Sequence, residues 1–202
     1  TSYPMALSAI SFFLMQSTDV LFISAYDTFE SVAYYSIAVK LASVTALALI
    51  SVNIVIAPKI ASIYNEKDFF ELKLILKKAT RINVVISLPI IVVLLCFSEH
   101  VLSYFGNNYV LARNALWVLL VAQFFNSVTG PSALYLNMTG RQKKLNVILL
   151  ISLLINIVLN IILVPAYGML GAAISTTASF IILKTFASAL VLYLDNVKTF
   201  IS

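Results

Sequence analysis

The chain has 202 residues, of which 61% are apolar and 10% are charged, and its mean hydropathy is +1.02. Soluble domains average about 25% charged residues, so this composition excludes soluble enzymes, disordered tails and secreted disulfide scaffolds, and it indicates an integral membrane protein. The net charge is +5, with 13 Lys and Arg against 8 Asp and Glu. Cys96 is the single cysteine of the sequence, so the chain offers neither an internal disulfide nor a thiolate metal site.

Six apolar segments approach or exceed the length of about 20 residues that a helix needs to cross a bilayer. In chain order they occupy residues 3–26, 32–57, 79–98, 113–137, 145–165 and 169–194. Pro89 in the third segment and Gly130-Pro131 in the fourth predict kinks. The apolar residues are consecutive rather than alternating, which is typical of helices and not of membrane strands. The sequence therefore predicts an all-α polytopic membrane protein, with six transmembrane helices forming one bundle over residues 1–202.

Basic residues are concentrated in two of the five connections between these segments. Residues 58–81 carry six and residues 138–144 carry three, whereas the other three connections carry none. Because cytoplasmic loops are enriched in Lys and Arg, this asymmetry predicts that both basic connections are cytoplasmic. An even number of spans then places both visible termini in the cytoplasm, and Lys198 after the last segment agrees with that orientation.

The cytoplasmic connection at about 58–81 has a helical pattern of its own. Asp68 followed by Glu71 resembles a capping box at the start of a helix. Apolar residues recur at near-helical spacing, with the lysines largely to one side, at Phe69, Leu72, Leu76 and Ala79. The pattern predicts an amphipathic helix lying at the membrane surface, and a solvated connecting helix without a further role is the alternative.

Three charged residues lie well inside the predicted spans, away from their ends: Asp19 in the first, Lys40 in the second and Lys184 in the sixth. A charge at mid-bilayer costs about 3 kcal/mol on insertion scales, so each is expected to face the bundle interior or a watery cavity. One interpretation is a translocation path, in which the lysines attract an anionic group and Asp19 is their partner or binds a proton or a cation. The other interpretation is an internal ion pair between Asp19 and one of the lysines.

Polar uncharged residues add a weaker signal. Asn53 in the second segment is included among the candidates for the translocation path. Ser152, Asn156 and Asn160 are spaced by four residues and so share one face of the fifth helix. Such amides typically form hydrogen bonds between neighbouring transmembrane helices, and we interpret this stripe as structural.

The motifs of common enzymes are absent from the sequence. It contains no His-Glu-x-x-His zinc pattern and no glycine-rich phosphate loop, and Asp19 is the sole acid within a predicted span. An intramembrane aspartyl enzyme needs paired carboxylates. We therefore expect a protein that is not an enzyme, with no catalytic residues, no metal and no cofactor.

Several short motifs occur in an order that is typical of one family of exporters. They are Thr18-Asp19-Val20, the run 32–41, Ala57-Pro58-Lys59-Ile60, Phe105-Gly106-Asn107-Asn108-Tyr109, the run 136–141, Asn156 with Asn160, and the run 164–173. Their order and spacing resemble the O-antigen and capsule flippase branch of the multidrug/oligosaccharidyl-lipid/polysaccharide (MOP) exporter superfamily. The resemblance covers nearly the whole chain.

The resemblance implies a fold of two six-helix bundles around a central cavity, of which this chain would be the second. The sequence begins with Thr1 and its opening residues lack the basic region of a signal peptide, so we interpret it as a piece of a longer protein. Members of the family move undecaprenyl-diphosphate-linked oligosaccharide across the bacterial inner membrane for O-antigen, capsule or exopolysaccharide assembly. Lys40 and Lys184 would then be counter-charges for the diphosphate of this substrate.

The implied partners are the lipid-linked oligosaccharide, membrane lipids, a polysaccharide polymerase and chain-length proteins, and not nucleic acid. Coupling to a proton or sodium gradient is expected. One alternative is a cation-coupled multidrug antiporter of the same superfamily, with Asp19 as the ion-binding group. Another is a membrane scaffold of a glycan assembly complex without transport activity, in which the charges pair internally. A polymerase or glycosyltransferase needs a large extracytoplasmic loop, and residues 99–112 are too few for one.

Overall fold

The computed structural model describes residues 2–197 and 199, without the side chains of residues 2–9, 12 and 16. Lys198, used above for orientation, lies outside the described residues. Within this part all regular structure is helical, which confirms the all-α prediction. The α-helices are α1 (Ser2–Tyr26), α2 (Phe29–Val44), α3 (Ala46–Glu66), α4 (Phe69–Cys96), α5 (Ser98–Ser103), α6 (Arg113–Thr129), α7 (Ser132–Met138), α8 (Gln142–Tyr167) and α9 (Met169–Asp195), and a 3-10 helix (Asn107–Ala112) precedes α6.

The described helices include five stretches that are long and apolar enough to cross a membrane. They are α3, α4, the stretch Asn107–Thr129, α8 and α9. The first predicted segment corresponds to α1, which has 25 residues. Large apolar side chains cover the outer faces, as in Val85 at 65% exposure and Leu154 at 62%. The chain is therefore a multi-pass membrane protein, in which outward apolar faces contact lipid and not water.

The second predicted segment, 32–57, forms two helices instead of one. The break is at Thr45, whose hydroxyl donates to the carbonyl of Ala42 at 2.7 Å. A threonine hydroxyl that binds a nearby carbonyl competes with the backbone pattern of a continuous helix. The next helix, α3, then continues past Pro58 to Glu66, where Lys67 adopts a left-handed conformation with φ of 59° and ends it.

The stretch predicted to contain an amphipathic helix, 58–81, does not form a helix of its own. This stretch forms the end of α3, a turn at Lys67 and Asp68, and the first turns of α4, which runs on without interruption to Cys96. The predicted cap at Asp68 is confirmed, since Oδ1 accepts hydrogen bonds from the backbone N–H groups of Phe70 at 3.0 Å and Glu71 at 2.9 Å. The apolar side of the first turns of α4, with Leu72, Leu76 and Ala79, is buried against neighbouring helices in the interior of the bundle.

The fourth predicted segment is interrupted, and not merely kinked, at Gly130-Pro131. Gly130 has φ of 62° and ψ of −156°, a conformation that side-chain-bearing residues avoid. A side chain at this position would also collide with Thr80 on α4. Pro131 has no N–H to continue the helix, so α6 ends at Thr129 and α7 begins at Ser132. Pro89, by contrast, lies inside α4 without interrupting it.

Two apolar clusters form the interior of the bundle. The first contains Ile23, Tyr35, Leu116, Val164 and Ala172, among others. The second contains Ile60, Leu72, Leu136, Leu149 and Leu183, among others. Both α8 and α9 pass from one cluster to the other, and between their two clustered parts lie the buried polar residues Ser152, Asn156, Asn160, Ser175 and Ser179. This boundary is where the candidate site is found.

Candidate functional site

Asp19 is the centre of a buried polar cluster between α1, α2, α8 and α9. Its exposed fraction is 2%. Its Oδ2 atom accepts hydrogen bonds from the Tyr35 hydroxyl at 2.7 Å and from the Thr176 hydroxyl. Its Oδ1 atom accepts from Nδ2 of Asn160 at 3.0 Å and from Nδ2 of Asn156 at 3.4 Å. Four side chains from three helices thus converge on one carboxylate, and we call these five residues the Asp19 cluster.

The sequence spacing explains how this cluster is built. Asn156 and Asn160 are one helical turn apart on α8, so both amides face the same side and reach the same carboxylate oxygen. Asn156 Nδ2 also lies 3.3 Å from the Thr176 hydroxyl of α9, which links the two helices that flank Asp19. Ser152 completes the predicted stripe and is fully buried. The stripe therefore does face the interior, but it contacts a charged residue and not only a neighbouring helix.

The hydrogen-bond partners of Asp19 among the described side chains are all neutral. The ion pairs among the described residues join Arg113 to Glu99 and Arg141 to Asp195, so neither Lys40 nor Lys184 pairs with Asp19. The internal ion pair considered from the sequence is therefore not formed. A buried carboxylate without a cationic partner is costly, and it is best stabilised by a proton, a bound cation or several donors.

The cluster is rich in oxygen atoms that lack a partner. Among the described side chains, Oδ1 of Asn156 and Oδ1 of Asn160 are buried and accept no hydrogen bond. Rotation of either amide would turn this oxygen towards the carboxylate of Asp19. Carboxylate, amide and hydroxyl oxygens are the ligands that hard cations prefer. The described residues contain no group of three or more His, Cys, Asp or Glu that could hold a metal ion, and Asp19 is the one acidic member of the cluster.

Lys184 lies inside the bundle, as its cost in lipid predicts. It is 6% exposed, and its Nζ atom lies 5.7 Å from the centroid of the Phe180 ring. It follows Thr176 by eight residues on α9, which corresponds to about 12 Å along the helix axis. Within the described part of the chain, no carboxylate lies within ion-pair distance of this ammonium group.

Lys40 does not face the interior of this bundle, so of its two expected surroundings only the watery cavity stays as a prediction. Its side chain is exposed, whereas Tyr35 on the same helix is buried. Five residues turn an α-helix by about 140°, so Lys40 points away from the side of α2 that carries Tyr35. Asn53 on α3 is half-buried, and its Oδ1 atom finds no hydrogen-bond partner among the described residues. The fold does not join Lys40 or Asn53 to the Asp19 cluster.

Sequence reasoning found the acid of the cluster and missed the roles of its partners. Asn156 and Asn160 were identified as one stripe and interpreted as structural, and an amide pair on one helix face together with a solitary intramembrane acid was the available signal. Tyr35 was visible only as part of the motif run 32–41, and Thr176 carried no signal of its own. Which helices meet at Asp19 depends on tertiary packing, and spacing along one helix does not reveal it.

A second polar cluster lies where the C-terminal end of α9 meets the connection between α7 and α8. Arg141 forms a two-pronged ion pair with Asp195, with Nη2 donating to Oδ1 at 2.8 Å and Nη1 donating to Oδ2. Tyr135 on α7 donates to Oδ2 of Asp195 at 2.7 Å, and Nη2 of Arg141 also donates to the Tyr64 hydroxyl of α3 at 3.0 Å. The hydrogen bonds from Arg141 to Asp195 raise the pKa of the guanidinium above its usual high value. We call these four residues the Arg141 cluster.

Known proteins resemble this chain in sequence and in fold. The MatE family model matches residues 4–162. A putative O-antigen transporter of Shigella flexneri is 30% identical over 148 residues, covering 72% of this chain and 35% of the relative. A probable low-salt glycan biosynthesis flippase, Agl15, of Haloferax volcanii is 24% identical over 178 residues, covering 86% of this chain and 37% of the relative. The chain thus spans little more than a third of the length of these curated relatives.

Solved structures share the fold over the whole chain. An outward-facing multidrug resistance transporter of the MATE family superposes with a TM-score of 0.80 at 20% identity, covering 100% of this chain and 46% of that structure. A MOP superfamily transporter from Pyrococcus furiosus, described as having a binding pocket of reverse polarity, gives a TM-score of 0.80 at 18% identity and covers 45% of that structure. The helical arrangement described above is therefore that of about half of such a transporter.

Proposed function

Because the chain belongs to the MatE family, a family of membrane transporters in the MOP superfamily, we propose that it forms one bundle of a flippase for lipid-linked oligosaccharide. The proposed substrate is an undecaprenyl-diphosphate-linked repeat unit, moved across the bacterial inner membrane for O-antigen, capsule or exopolysaccharide assembly. Two curated relatives named as an O-antigen transporter and a glycan biosynthesis flippase support this substrate class. In this proposal the chain is the second of two bundles, with its visible termini in the cytoplasm.

The observation that carries a transport mechanism is the buried carboxylate of Asp19 among neutral donors. In the proposed cycle, a proton or a sodium ion neutralises this carboxylate and replaces some of its hydrogen bonds. Because the donors come from α2, α8 and α9, their rearrangement changes how these helices pack against α1. A ligand with different affinities for two packing states shifts the balance between them, which is the physical basis of alternating access.

The substrate would meet its counter-charges elsewhere. Lys40 lies on the exposed face of α2, and in a two-bundle transporter we place this face towards the space between the bundles. There it would replace part of the hydration that the diphosphate loses. Lys184 is buried beside Phe180 without a carboxylate partner in the described structure, and it would become available when the helices rearrange. Asn53 is assigned to the same path as a weaker contact, through its unpartnered amide oxygen.

The partners proposed for the protein follow from this proposed function. A flippase delivers its substrate to a polysaccharide polymerase and to chain-length proteins on the outer side of the membrane. Membrane lipids surround the apolar outer faces of the bundle. The curated relatives are named as a transporter and a flippase, and a non-enzymatic role agrees with those names.

A cation-coupled multidrug antiporter is the second candidate, because the Asp19 cluster would serve ion coupling there equally well. A scaffold role is disfavoured, since it relied on an internal pair between Asp19 and a lysine that the described residues do not form. The flippase and the antiporter differ in substrate, so substrate accumulation separates them.

The test uses the native organism and the full-length gene. Wild type and a deletion strain are compared for surface polysaccharide and for lipid-linked repeat units held at the cytoplasmic leaflet. The flippase proposal expects loss of the polysaccharide with accumulation of the repeat units, both restored by the wild-type gene. Unchanged polysaccharide together with lost efflux of cationic compounds would contradict the flippase and support the antiporter.

A further inference from the structure

The hairpin of α3 and α4 extends beyond the thickness of a bilayer. Helix α4 has 28 residues and is therefore about 42 Å long, compared with about 30 Å for the hydrocarbon core. On the Lys67 side of Arg81 its exposed residues include cations together with the apolar Phe70 and Leu74. On the α5 side of Arg81 the exposed residues are apolar, as in Val85 at 65%, Val92 at 50% and Val93 at 52% exposure. The hydrocarbon boundary therefore lies close to Arg81.

A layer of exposed cations lies at this boundary. On α4 it contains Lys73, Lys77, Lys78 and Arg81, and on α3 it contains Lys59, which follows the exposed apolar residues Ile54 and Val55. Helices α3 and α4 are antiparallel about a turn at Lys67 and Asp68, and Lys59 and Lys77 each lie eight or nine residues from that turn. By helical rise both are about 12–13 Å from it, so they stand at the same height.

The first turn of α8 extends the same layer. Lys143 and Lys144 are exposed there and precede the exposed apolar residues Val147 and Leu150. We define the basic band as the seven exposed cations that share this position next to apolar surface: Lys59, Lys73, Lys77, Lys78, Arg81, Lys143 and Lys144. The ion pairs of the described residues involve Arg113 and Arg141, so no carboxylate of the described part neutralises the band.

Acidic residues occupy a different level. Glu66, Asp68 and Glu71 are exposed at the tip of the hairpin, beyond the basic band as seen from the apolar surface. From the apolar surface outward the basic band therefore comes first, and the three acidic residues follow at the tip beside the exposed Lys67 and Phe70. Lipid phosphates lie directly outside the hydrocarbon, and they attract cations and repel carboxylates at that depth. An acidic protein partner would give no reason for the cations to follow the apolar edge on three helices.

We propose that the basic band binds the headgroups of anionic phospholipids in the cytoplasmic leaflet and thereby fixes the depth of the bundle in the membrane. Each cation near an anionic lipid surface contributes about 1 kcal/mol, or about five-fold in affinity. The band as a whole therefore selects anionic headgroups over zwitterionic ones. This selection depends on charge and not on the shape of a pocket. Arginine in place of lysine would therefore preserve the preference for anionic headgroups.

The test places the purified full-length protein in lipid nanodiscs of phosphatidylcholine with a minority of phosphatidylglycerol. Lipids that remain bound are then counted by native mass spectrometry. We expect phosphatidylglycerol to be enriched over its bulk share by about three-fold or more, and the enrichment to fall as salt is raised. In the triple variant Lys73→Gln, Lys77→Gln and Lys78→Gln the enrichment should fall clearly towards the bulk share, although four cations of the band remain.

Two controls make the result specific. The matched triple substitution of the same lysines by arginine should keep the enrichment, because it keeps the charge. The variant Glu66→Gln with Glu71→Gln alters charge at the tip of the hairpin and should not lower it. Equal enrichment in the wild type and the glutamine variant would overturn the proposal. All substituted side chains are exposed, and equal melting temperatures in pure phosphatidylcholine establish that the variants are folded.

Discussion

Asp19 and Asp195 are both carboxylates withdrawn from solvent, and they differ in what surrounds them. Asp195 has a side chain that is 6% exposed and forms a two-pronged ion pair with Arg141. Asp19 is 2% exposed and accepts hydrogen bonds only from hydroxyl and amide groups among the described residues. The first carboxylate has its counter-charge built into the chain, whereas the second has none.

This difference separates a structural charge from one that is free to exchange its partner. Breaking a buried ion pair leaves an uncompensated charge, so the Arg141 cluster keeps one arrangement and holds α3, α7 and α9 together. The Asp19 cluster is held by neutral donors that also carry unpartnered amide oxygens, so it can accept a proton or a cation without separating charges.

Replacement of Asp19 by asparagine in the full-length protein should remove ion coupling. The amide has nearly the shape of the carboxylate but neither its charge nor its affinity for a proton or sodium. We expect ion-driven transport in proteoliposomes to fall by more than about ten-fold, with the protein still inserted and folded. The exposed acid Glu66, changed to glutamine, is the matched control and should transport normally. Full ion-driven transport by Asp19→Asn would contradict the assignment.

Replacement of Arg141 by alanine should act on stability and not on ion coupling. It leaves the largely buried carboxylate of Asp195 without its partner, and breaking a buried pair costs about 3 kcal/mol or more. We expect a lower unfolding temperature with unchanged ion dependence of the remaining transport. The double variant Arg141→Ala with Asp195→Asn should recover part of the loss, because the two residues interact directly. A purely additive double variant would show that the pair does not stabilise the bundle.

Replacement of Tyr35 by phenylalanine should increase the apparent affinity of the site for its ion. The Tyr35 hydroxyl stabilises the ion-free carboxylate, and a hydrogen bond to a charged group contributes about 1.5–3 kcal/mol. Its loss favours the ion-loaded state, so the half-saturating ion concentration should fall by about ten-fold or more. Tyr34 is the matched control, since its hydroxyl donates to Glu30 at 3.1 Å and not to Asp19. An equal shift in Tyr34→Phe would point to a general effect on packing.

Replacement of Lys40 or Lys184 by alanine should lower export while leaving membrane insertion intact. Each change removes one of several attractions for the diphosphate, so we expect a smaller loss than for Asp19, of about ten-fold or less. Arginine at either position should be milder than alanine if charge is the relevant property. Equal losses from alanine and arginine would indicate packing, and normal export from both alanine variants would remove these lysines from the path.

The sequence predicted the spans well where length alone decides them. Helices α8 and α9 match their apolar segments, because an uninterrupted run of large apolar residues has no other stable form in a bilayer. The boundary at Thr45 was missed because a single hydroxyl bonding to Ala42 ends α2, and threonine is common inside membrane helices. The extension of α3 past Pro58 was missed because burial of Ile60 and Ile63 outweighs the local penalty of proline.

Part of the candidate site could be predicted because the identity of a single residue is enough to show that a charge avoids lipid. The free-energy cost of placing a charge in lipid follows from the type of residue. From this cost we expected Asp19 and Lys184 to face the interior, and both are buried. For Lys40 this cost left the bundle interior and a watery cavity as alternatives, and the exposed side chain excludes the first of them. The donors around Asp19 come from helices that are distant in sequence, so tertiary packing was needed to find Tyr35 and Thr176.

The most direct test of the central claim is an infrared difference spectrum of the purified full-length protein on changing pH or sodium concentration. If Asp19 is the ion-binding carboxylate, a carboxyl band should change in the wild type and in the Glu66→Gln control. That band should be absent from the difference spectrum of Asp19→Asn. A spectrum of Asp19→Asn that is identical to the wild type would contradict the claim.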